Sequence, residues 1–172
     1  SSRRQSFLQM DNKRYFGLWM KGNKMSVYHI VINPAGASGR TNECWDIIKK
    51  ELDTIGVNYE VHLSTLEHGI KEIMQELTST NERVNIILIG GDGSMNLAVN
   101  GIVNFEKTYL GLIPCGSGND LAKSLGIHGT EIECLHRILN DQHGKDLDVG
   151  VLTYHTLYDK KGNKVSDEPY SR

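Results

Sequence analysis

The chain has 172 residues and a formal net charge of −2, with 19 Lys and Arg against 21 Asp and Glu. This length suits one domain with a sizeable core, and the scattered, nearly balanced charges predict no nucleic-acid partner. Short apolar runs predict no membrane-spanning segment, and three widely spaced cysteines without metal-ligand spacing favour a reduced, cytoplasmic setting.

The predicted elements of the first half alternate between strands and helices. Tyr28–Asn33 is β-rich and stops at a proline, so it is the first predicted strand. Residues 41–55 carry apolar side chains at spacings of three and four, which predicts a helix. Residues 57–63 alternate and predict a second strand, and Ser64 or Thr65 is the predicted cap of the helix that follows.

The second half of the chain continues this alternation. The predicted strands are Val84–Ile89, Tyr109–Ile113 and Asp146–Tyr154, and the predicted helices are Met95–Val103, Leu121–Leu125 and Glu131–Asn140. Such an order favours a mostly parallel sheet with helices packed on both faces. The sequence therefore predicts the α/β class, as a three-layer sandwich.

Three glycine-rich loops follow predicted strands, at residues 33–39, 90–94 and 116–119. Ligands bind at the carboxyl ends of parallel strands, which meet at one edge of the sheet. A glycine turn that leads into a helix presents backbone N–H groups to an anion, and it has no Cβ to hold the anion away. One such loop is as often an ordinary turn, but three on one edge predict a polyphosphate-binding site.

Asp92 lies within the second loop, where its charge would repel a phosphate unless a cation lay between them. Mg²⁺ held by the carboxylate and the phosphates is one interpretation. A second is that Asp92 takes a proton from an attacking hydroxyl, and a third is that it only caps the following helix. The residues alone leave all three open.

Several familiar nucleotide and hydrolase signatures do not occur in the sequence. The pattern G-x-x-x-x-G-K-[ST] is absent. The dinucleotide pattern G-x-G-x-x-G fails because Asn96 and Leu121 stand where its third glycine is needed. The nucleophile elbow G-x-S-x-G fails around Ser117, because Cys115 stands at its first glycine.

Three segments together resemble the catalytic domain of diacylglycerol kinases: NPAGASG, GGDGSMNLAVNG and GLIPCGSGNDLAKSLGI. They occur in the family's order over roughly residues 27–150, and the bacterial lipid-kinase branch looks closest. Sphingosine and ceramide kinases and, more remotely, NAD kinases share the GGDG element. The resemblance implies the NAD kinase/diacylglycerol kinase-like N-terminal fold, ATP and Mg²⁺ as cofactors, and phosphoryl transfer to a lipid such as diacylglycerol.

The resemblance also implies which residues contact the nucleotide. They are Asn33, Pro34, Ala35, Gly36 and Ala37 in the first loop, Thr65 after the second strand, Gly90, Gly91, Asp92, Gly93, Ser94, Met95 and Asn96 in the central loop, and Ser117, Gly118 and Asn119 in the third. Asp92 is the implied catalytic residue, as base or as organiser of Mg²⁺ and phosphate. Leu97 stands where the family usually has a glutamate, so the role of that carboxylate is not carried over.

The domain organisation follows from the same resemblance. Residues 1–24 are interpreted as an extension outside the core, residues 25–150 as the nucleotide-binding domain, and residues 151–172 as the start of a connection to a further β-rich domain. The chain is then the ATP-binding half of a lipid kinase, inactive alone, cytoplasmic, and peripheral to the membrane, with a homodimer left open. The alternatives are an NAD-kinase-like enzyme with a soluble substrate and a nucleotide-binding module without catalysis.

Overall fold

A computed structural model describes residues 26–116 and 118–140, together with the strand residues 153–154, 157–158, 164–166 and 170–171. The chain divides into two compact units, residues 1–142 and 143–172. The predictions for residues 1–24 and for Ser117 lie outside the described residues.

The first unit contains a four-stranded parallel sheet. Its strands are β1 (Tyr28–Ile32), β2 (Tyr59–Leu63), β3 (Val84–Gly90) and β4 (Thr108–Pro114), in the spatial order β2-β1-β3-β4. In the central strand β3 every residue except Asn85 is buried. A nearly continuous apolar run of this kind is typical of a parallel strand that is covered on both faces.

Helices cover both faces of the sheet. Those described are α1 (Arg40–Ile55), α2 (Ile70–Thr78), α3 (Asp92–Gly101), α4 (Asp120–Ser124) and α5 (Glu131–Asn140). Helices α1 and α5 pack on the face that carries Ile30 and Ile87, whereas α2, α3 and α4 pack on the face that carries Val31 and Leu88. The predicted three-layer α/β sandwich is confirmed. Among the described residues, no helix combines the length and apolar character that crossing a bilayer requires.

The second helix does not begin where the sequence predicts. Its predicted cap is Ser64 or Thr65, but the helix begins at Ile70, directly after Gly69. The reason is a local turn: the Thr65 hydroxyl accepts the N–H of His68 at 3.0 Å, and the Thr65 N–H donates to the His68 carbonyl at 2.8 Å. The Thr65 hydroxyl therefore stabilises a turn that ends before the helix begins, and it does not cap the helix.

The third helix also begins earlier than predicted, at Asp92 rather than Met95. Strand β3 runs through Gly90, so Gly91 alone separates the strand from the helix. The N–H of Met95 donates to the Gly91 carbonyl at 3.0 Å, which is already a helical bond. The segment expected to form a phosphate loop is therefore mostly the first turn of α3.

Helices α2 and α3 lie very close to each other at Gly101, the last residue of α3. A Cβ atom on this residue would lie 2.7 Å from the Cβ of Met74 and would also clash with the backbone carbonyl of Lys71. Only glycine allows the two helices to approach this closely without displacement.

Cys44 of α1 and Cys115, which follows β4, form a disulfide with Cα atoms 6.7 Å apart. The expectation that all three cysteines are reduced is therefore wrong for this pair. Sequence spacing gave no sign of the bond, because 71 positions separate the two residues and only the packing of α1 against the sheet brings them together. Cys134 is a buried free thiol, and burial raises its pKa.

The second unit contains two short antiparallel strand pairs among its described residues. Strand β5 (Thr153–Tyr154) pairs with β8 (Tyr170–Ser171), and β6 (Leu157–Tyr158) pairs with β7 (Lys164–Ser166). Strand β5 is the end of the predicted strand 146–154, whose earlier residues lie outside the described part. The assignment of residues 151–172 to a connection stays a prediction.

Candidate functional site

The carboxyl ends of β1 and β3 lie side by side at one edge of the sheet, where Ile32 pairs with Ile89. The chain leaves β1 for β2 on one side, but β3 lies on the other side of β1. In an open α/β sheet this change of direction opens a crevice in which ligands bind. The first and second glycine-rich loops both begin at this crevice.

Helix α3 presents its N-terminus here. Because its first bond is from Met95 to Gly91, the N–H groups of Asp92, Gly93 and Ser94 have no partner within the helix, and no side chain caps it at Gly91. A helix N-terminus carries about half a positive charge, which attracts anions. Nothing lies within 4 Å of the position that a Cβ of Gly93 would take, so an anion has room to reach the backbone.

The carboxylate of Asp92 links α3 to α4. Its Oδ2 accepts the N–H of Asp120 at 2.9 Å, and its Oδ1 accepts the N–H of Leu121 at 3.2 Å. Asp120 and Leu121 are the first residues of α4, so the negative charge lies where the helix dipole favours it. Asp92 thus caps a helix, as one interpretation of the sequence had it, but that helix is α4 and not the one that Asp92 begins.

The second and third glycine-rich loops are in backbone contact. A Cβ on Gly91 would lie 3.3 Å from the Cα of Gly116. Asn119 closes the third loop, since its Oδ1 accepts the N–H of Gly116 at 3.0 Å and its Nδ2 donates to the carbonyl of Gly116 at 2.7 Å. Asn119 adopts a left-handed φ of 53°, a conformation that asparagine tolerates better than most residues. Glycines 91 and 116 therefore serve the contact between the loops.

The first loop is a closed turn. The Oδ1 of Asn33 accepts the N–H of Ala35 at 3.1 Å, and its carbonyl accepts the N–H of Gly36 at 2.9 Å. The hydroxyl of Thr41 donates to the Gly36 carbonyl at 3.1 Å. Pro34 has no N–H, so the backbone donors of this turn up to Gly36 are already used.

The other residues of the predicted site differ in what they offer a ligand. Thr65 follows β2, one strand farther from the crevice than the first loop. Met95 is buried in the core beneath α3, whereas Asn96 is exposed and accepts a bond from Asn100 at 3.2 Å. Ser94 lies over Gly90, where a Cβ would meet its hydroxyl at 2.7 Å.

Two further residues, Ala37 and Gly118, complete the described part of the predicted set. Ala37 belongs to the 3-10 segment Gly36–Gly39, and Gly118 is exposed in the third loop, next to the undescribed Ser117. Leu97, which replaces the usual glutamate, is 46% exposed on α3. The sequence did not indicate that Asp120 and Leu121 bind the Asp92 carboxylate. They do so through backbone N–H groups, which nearly every residue type has.

Comparison with known proteins supports the resemblance that the three motifs carry. The sequence profile of the diacylglycerol kinase catalytic domain matches residues 27–152. A diacylglycerol kinase of Bacillus subtilis is 33% identical over 111 residues, which are 60% of this chain and 34% of that relative. Human sphingosine kinase 2 is 27% identical over 107 residues, which are 60% of this chain and 16% of that relative.

The crystal structure of a diacylglycerol kinase from Bacillus anthracis superposes with a TM-score of 0.57. The match covers 78% of this chain and 46% of that one at 22% identity, so it shows a shared fold and nothing further. The chain spans about a third or less of the length of the two relatives compared by sequence.

Proposed function

This chain belongs to the diacylglycerol kinase catalytic domain family, and from that premise we propose that it is the ATP-binding half of a lipid kinase. The relatives named above are kinases of diacylglycerol and of sphingosine. The proposed reaction is transfer of the terminal phosphoryl group of ATP to a lipid hydroxyl, such as that of diacylglycerol. The observation that carries the proposal is the open N-terminus of α3 at the crevice between β1 and β3.

The N–H groups of α3 are the best candidates for the ATP phosphates because competing donors are already used. The first N–H groups of α4 donate to Asp92, and the N–H of Gly116 donates to Asn119. Within the described residues, the start of α3 has no such side-chain partner, and with the uncovered backbone of Gly93 it is the favoured anion site.

The carboxylate of Asp92 fits the Mg²⁺ that ATP carries. Each of its oxygens accepts one N–H bond from α4, so each keeps a lone pair for a cation, and Mg²⁺ is commonly held by one carboxylate together with substrate phosphates. When bound, the ion neutralises phosphate charge. Because both oxygens are already oriented by α4, the carboxylate suits an organiser of metal and phosphate better than a base that must follow an incoming hydroxyl.

The proposed transfer forms a bond between the lipid oxygen and the γ-phosphorus and breaks the bond to the β,γ-bridging oxygen. The lipid hydroxyl loses its proton, and ADP leaves. Such reactions are accelerated chiefly by positioning and by charge neutralisation. The part that we assign to this chain is to hold the phosphates on α3 and to keep α3 and α4 in a fixed relation through Asp92.

Thermal unfolding with added nucleotide tests the proposed binding. ATP or ADP with Mg²⁺ is expected to raise the unfolding temperature of the 172-residue chain, because a ligand at a hundred times its dissociation constant adds about 2.7 kcal/mol to stability. A rise with NAD alone would instead favour an NAD-kinase-like enzyme. Phosphorylated lipid formed by the full-length parent protein would rule out a module without catalysis.

Gly93→Ala is expected to separate binding from folding. Alanine in a helix is favoured over glycine by at most about 1 kcal/mol, and nothing near Gly93 obstructs the new methyl group, so stability should hold or rise. The methyl group would, however, stand where a phosphate oxygen reaches the backbone. We expect the shift with ATP to be lost in Gly93→Ala and kept in Leu97→Ala, a change of an exposed side chain one turn farther along α3 and outside the predicted nucleotide-binding set. If ATP raised the unfolding temperature of Gly93→Ala as much as that of the unsubstituted chain, the phosphates would not bind at α3.

A further inference from the structure

Two histidines and a glutamate converge on one face of the sheet at its β2 edge. The Nδ1 atom of His29 lies 3.0 Å from the Nε2 atom of His62 and 3.6 Å from the Oε2 atom of Glu60. The three coordinating atoms all lie within 4.8 Å of one another. None of the three residues belongs to a glycine-rich loop or to the predicted nucleotide-binding set.

The parallel pairing of β1 with β2 creates this convergence. His29 is in register with Glu60, and Val31 is in register with His62. Side chains in register point to the same face, and those two positions apart on a strand share a face. All three polar side chains therefore lie on the same face as Val31, which is packed beneath α2 and α3.

The spacing of the donor atoms suits a tetrahedral metal ion. Zn²⁺ binds imidazole nitrogen at about 2.0–2.1 Å, so two nitrogens around it lie about 3.3 Å apart. The separation of 3.0 Å between the histidines and that of 3.6 Å from His29 to Glu60 lie on either side of this value. Two imidazoles and one carboxylate form a known Zn²⁺ donor set, with water in the fourth position.

We propose that His29, Glu60 and His62 bind a divalent transition-metal ion of the Zn²⁺ class and thereby tie the edge strand β2 to the central strand β1. The side chain of Glu60 is 63% exposed and that of His29 is 21% exposed, so an ion can enter from solvent while the histidines stay anchored. Mg²⁺ is not the expected occupant, because it prefers oxygen ligands over imidazole. The inference goes beyond nucleotide binding and does not depend on it.

Without a metal ion, the contact between the histidines is a hydrogen bond in which one ring donates and the other accepts. Burial lowers the pKa of His29, and so does His62, although Glu60 acts in the opposite direction. A neutral imidazole keeps the lone pair that a metal ion needs. Metal binding would replace the shared proton and leave both nitrogens coordinated.

Isothermal titration of the chelator-treated 172-residue chain with ZnCl₂ tests the site. One Zn²⁺ per chain is expected to bind at this cluster, and MgCl₂ is expected to give no comparable signal. Glu60→Gln keeps the shape of an exposed side chain but removes its charge, and His62→Gln removes an imidazole. Each is expected to weaken Zn²⁺ binding by at least the roughly 10- to 100-fold that loss of an outer-shell partner costs.

His68→Gln is the matched control. His68 lies beside Glu76, with Nε2 3.3 Å from Oε2, and is also partly exposed, but it lies outside the cluster. Zn²⁺ affinity is expected to stay unchanged in this variant, and the visible spectrum of bound Co²⁺ is expected to change only in the cluster variants. Glu60 is too exposed for its substitution to unfold the protein. Equal Zn²⁺ affinity in the unsubstituted 172-residue chain and in Glu60→Gln would therefore overturn the proposal. So would an equal loss in His68→Gln.

Discussion

Replacing Asp92 with alanine is expected to lower lipid kinase activity of the full-length parent protein by about 100-fold or more, the size of effect that a displacement of about 1 Å can have. The carboxylate holds the N–H groups of Asp120 and Leu121, so its loss frees the start of α4. It also removes the group that we propose for Mg²⁺. Loss of a helix cap costs about 0.5–2 kcal/mol of stability, so most of the protein should stay folded.

Two further variants make the result at Asp92 specific. Asp120→Asn changes a carboxylate that is 87% exposed and that lies 3.8 Å from Lys123, while the backbone N–H that bonds Asp92 stays in place. Its activity is expected to be close to normal. Asp92→Asn keeps one acceptor oxygen but loses the negative charge. This variant is expected to fold and to lack lipid kinase activity. Initial rates with ATP and diacylglycerol vesicles measure all three, and near-normal rates in Asp92→Ala would refute the assignment.

Gly101→Ala is expected to give the largest loss of stability among single methyl additions in α3. The added Cβ would clash with the carbonyl of Lys71 and would lie 2.7 Å from the Cβ of Met74. Backbone cannot rotate aside as a side chain does, so α2 and α3 would have to separate. Overpacking of this kind costs about 1–3 kcal/mol, which urea unfolding of the chain would measure.

Gly93→Ala is the matched control for Gly101→Ala, since it adds the same methyl group to the same helix where no atom is near. Gly93→Ala should unfold at the same urea concentration as the unsubstituted 172-residue chain or at a higher one. If Gly101→Ala were as stable as Gly93→Ala, α2 and α3 could not be packed as closely at Gly101 as described.

Periodicity predicted the layers of this fold well, because it records which side chains are buried. The run from Val84 to Ile89 indicated a strand, and a strand that is buried at all but one position is found there. Helix starts were harder to predict, since Thr65 had two ways to use its hydroxyl and took the local turn. Residue types alone could not decide between those two hydrogen bonds.

The candidate site was predicted as a set of loops but not as a set of available donors. The motifs indicated where the chain turns at the edge of the sheet. They could not indicate that Asp92 and Asn119 already use the N–H groups of α4 and Gly116, because this depends on side-chain conformation. The cluster at His29 and His62 was missed for a related reason: 33 positions separate these histidines, and only strand register joins them.

The strand order β2-β1-β3-β4 also leaves the sheet with two chemically different margins. The outermost strand at one margin is β2, in which Glu60 and His62 interrupt the apolar residues, and such residues discourage pairing with a foreign strand. Within the described residues, the other margin is β4, and its seven residues include no charged side chain. An edge strand without charged side chains is open to self-association. In the part of the chain that the structure describes, the β4 margin is therefore more open to pairing with a foreign strand than the β2 margin.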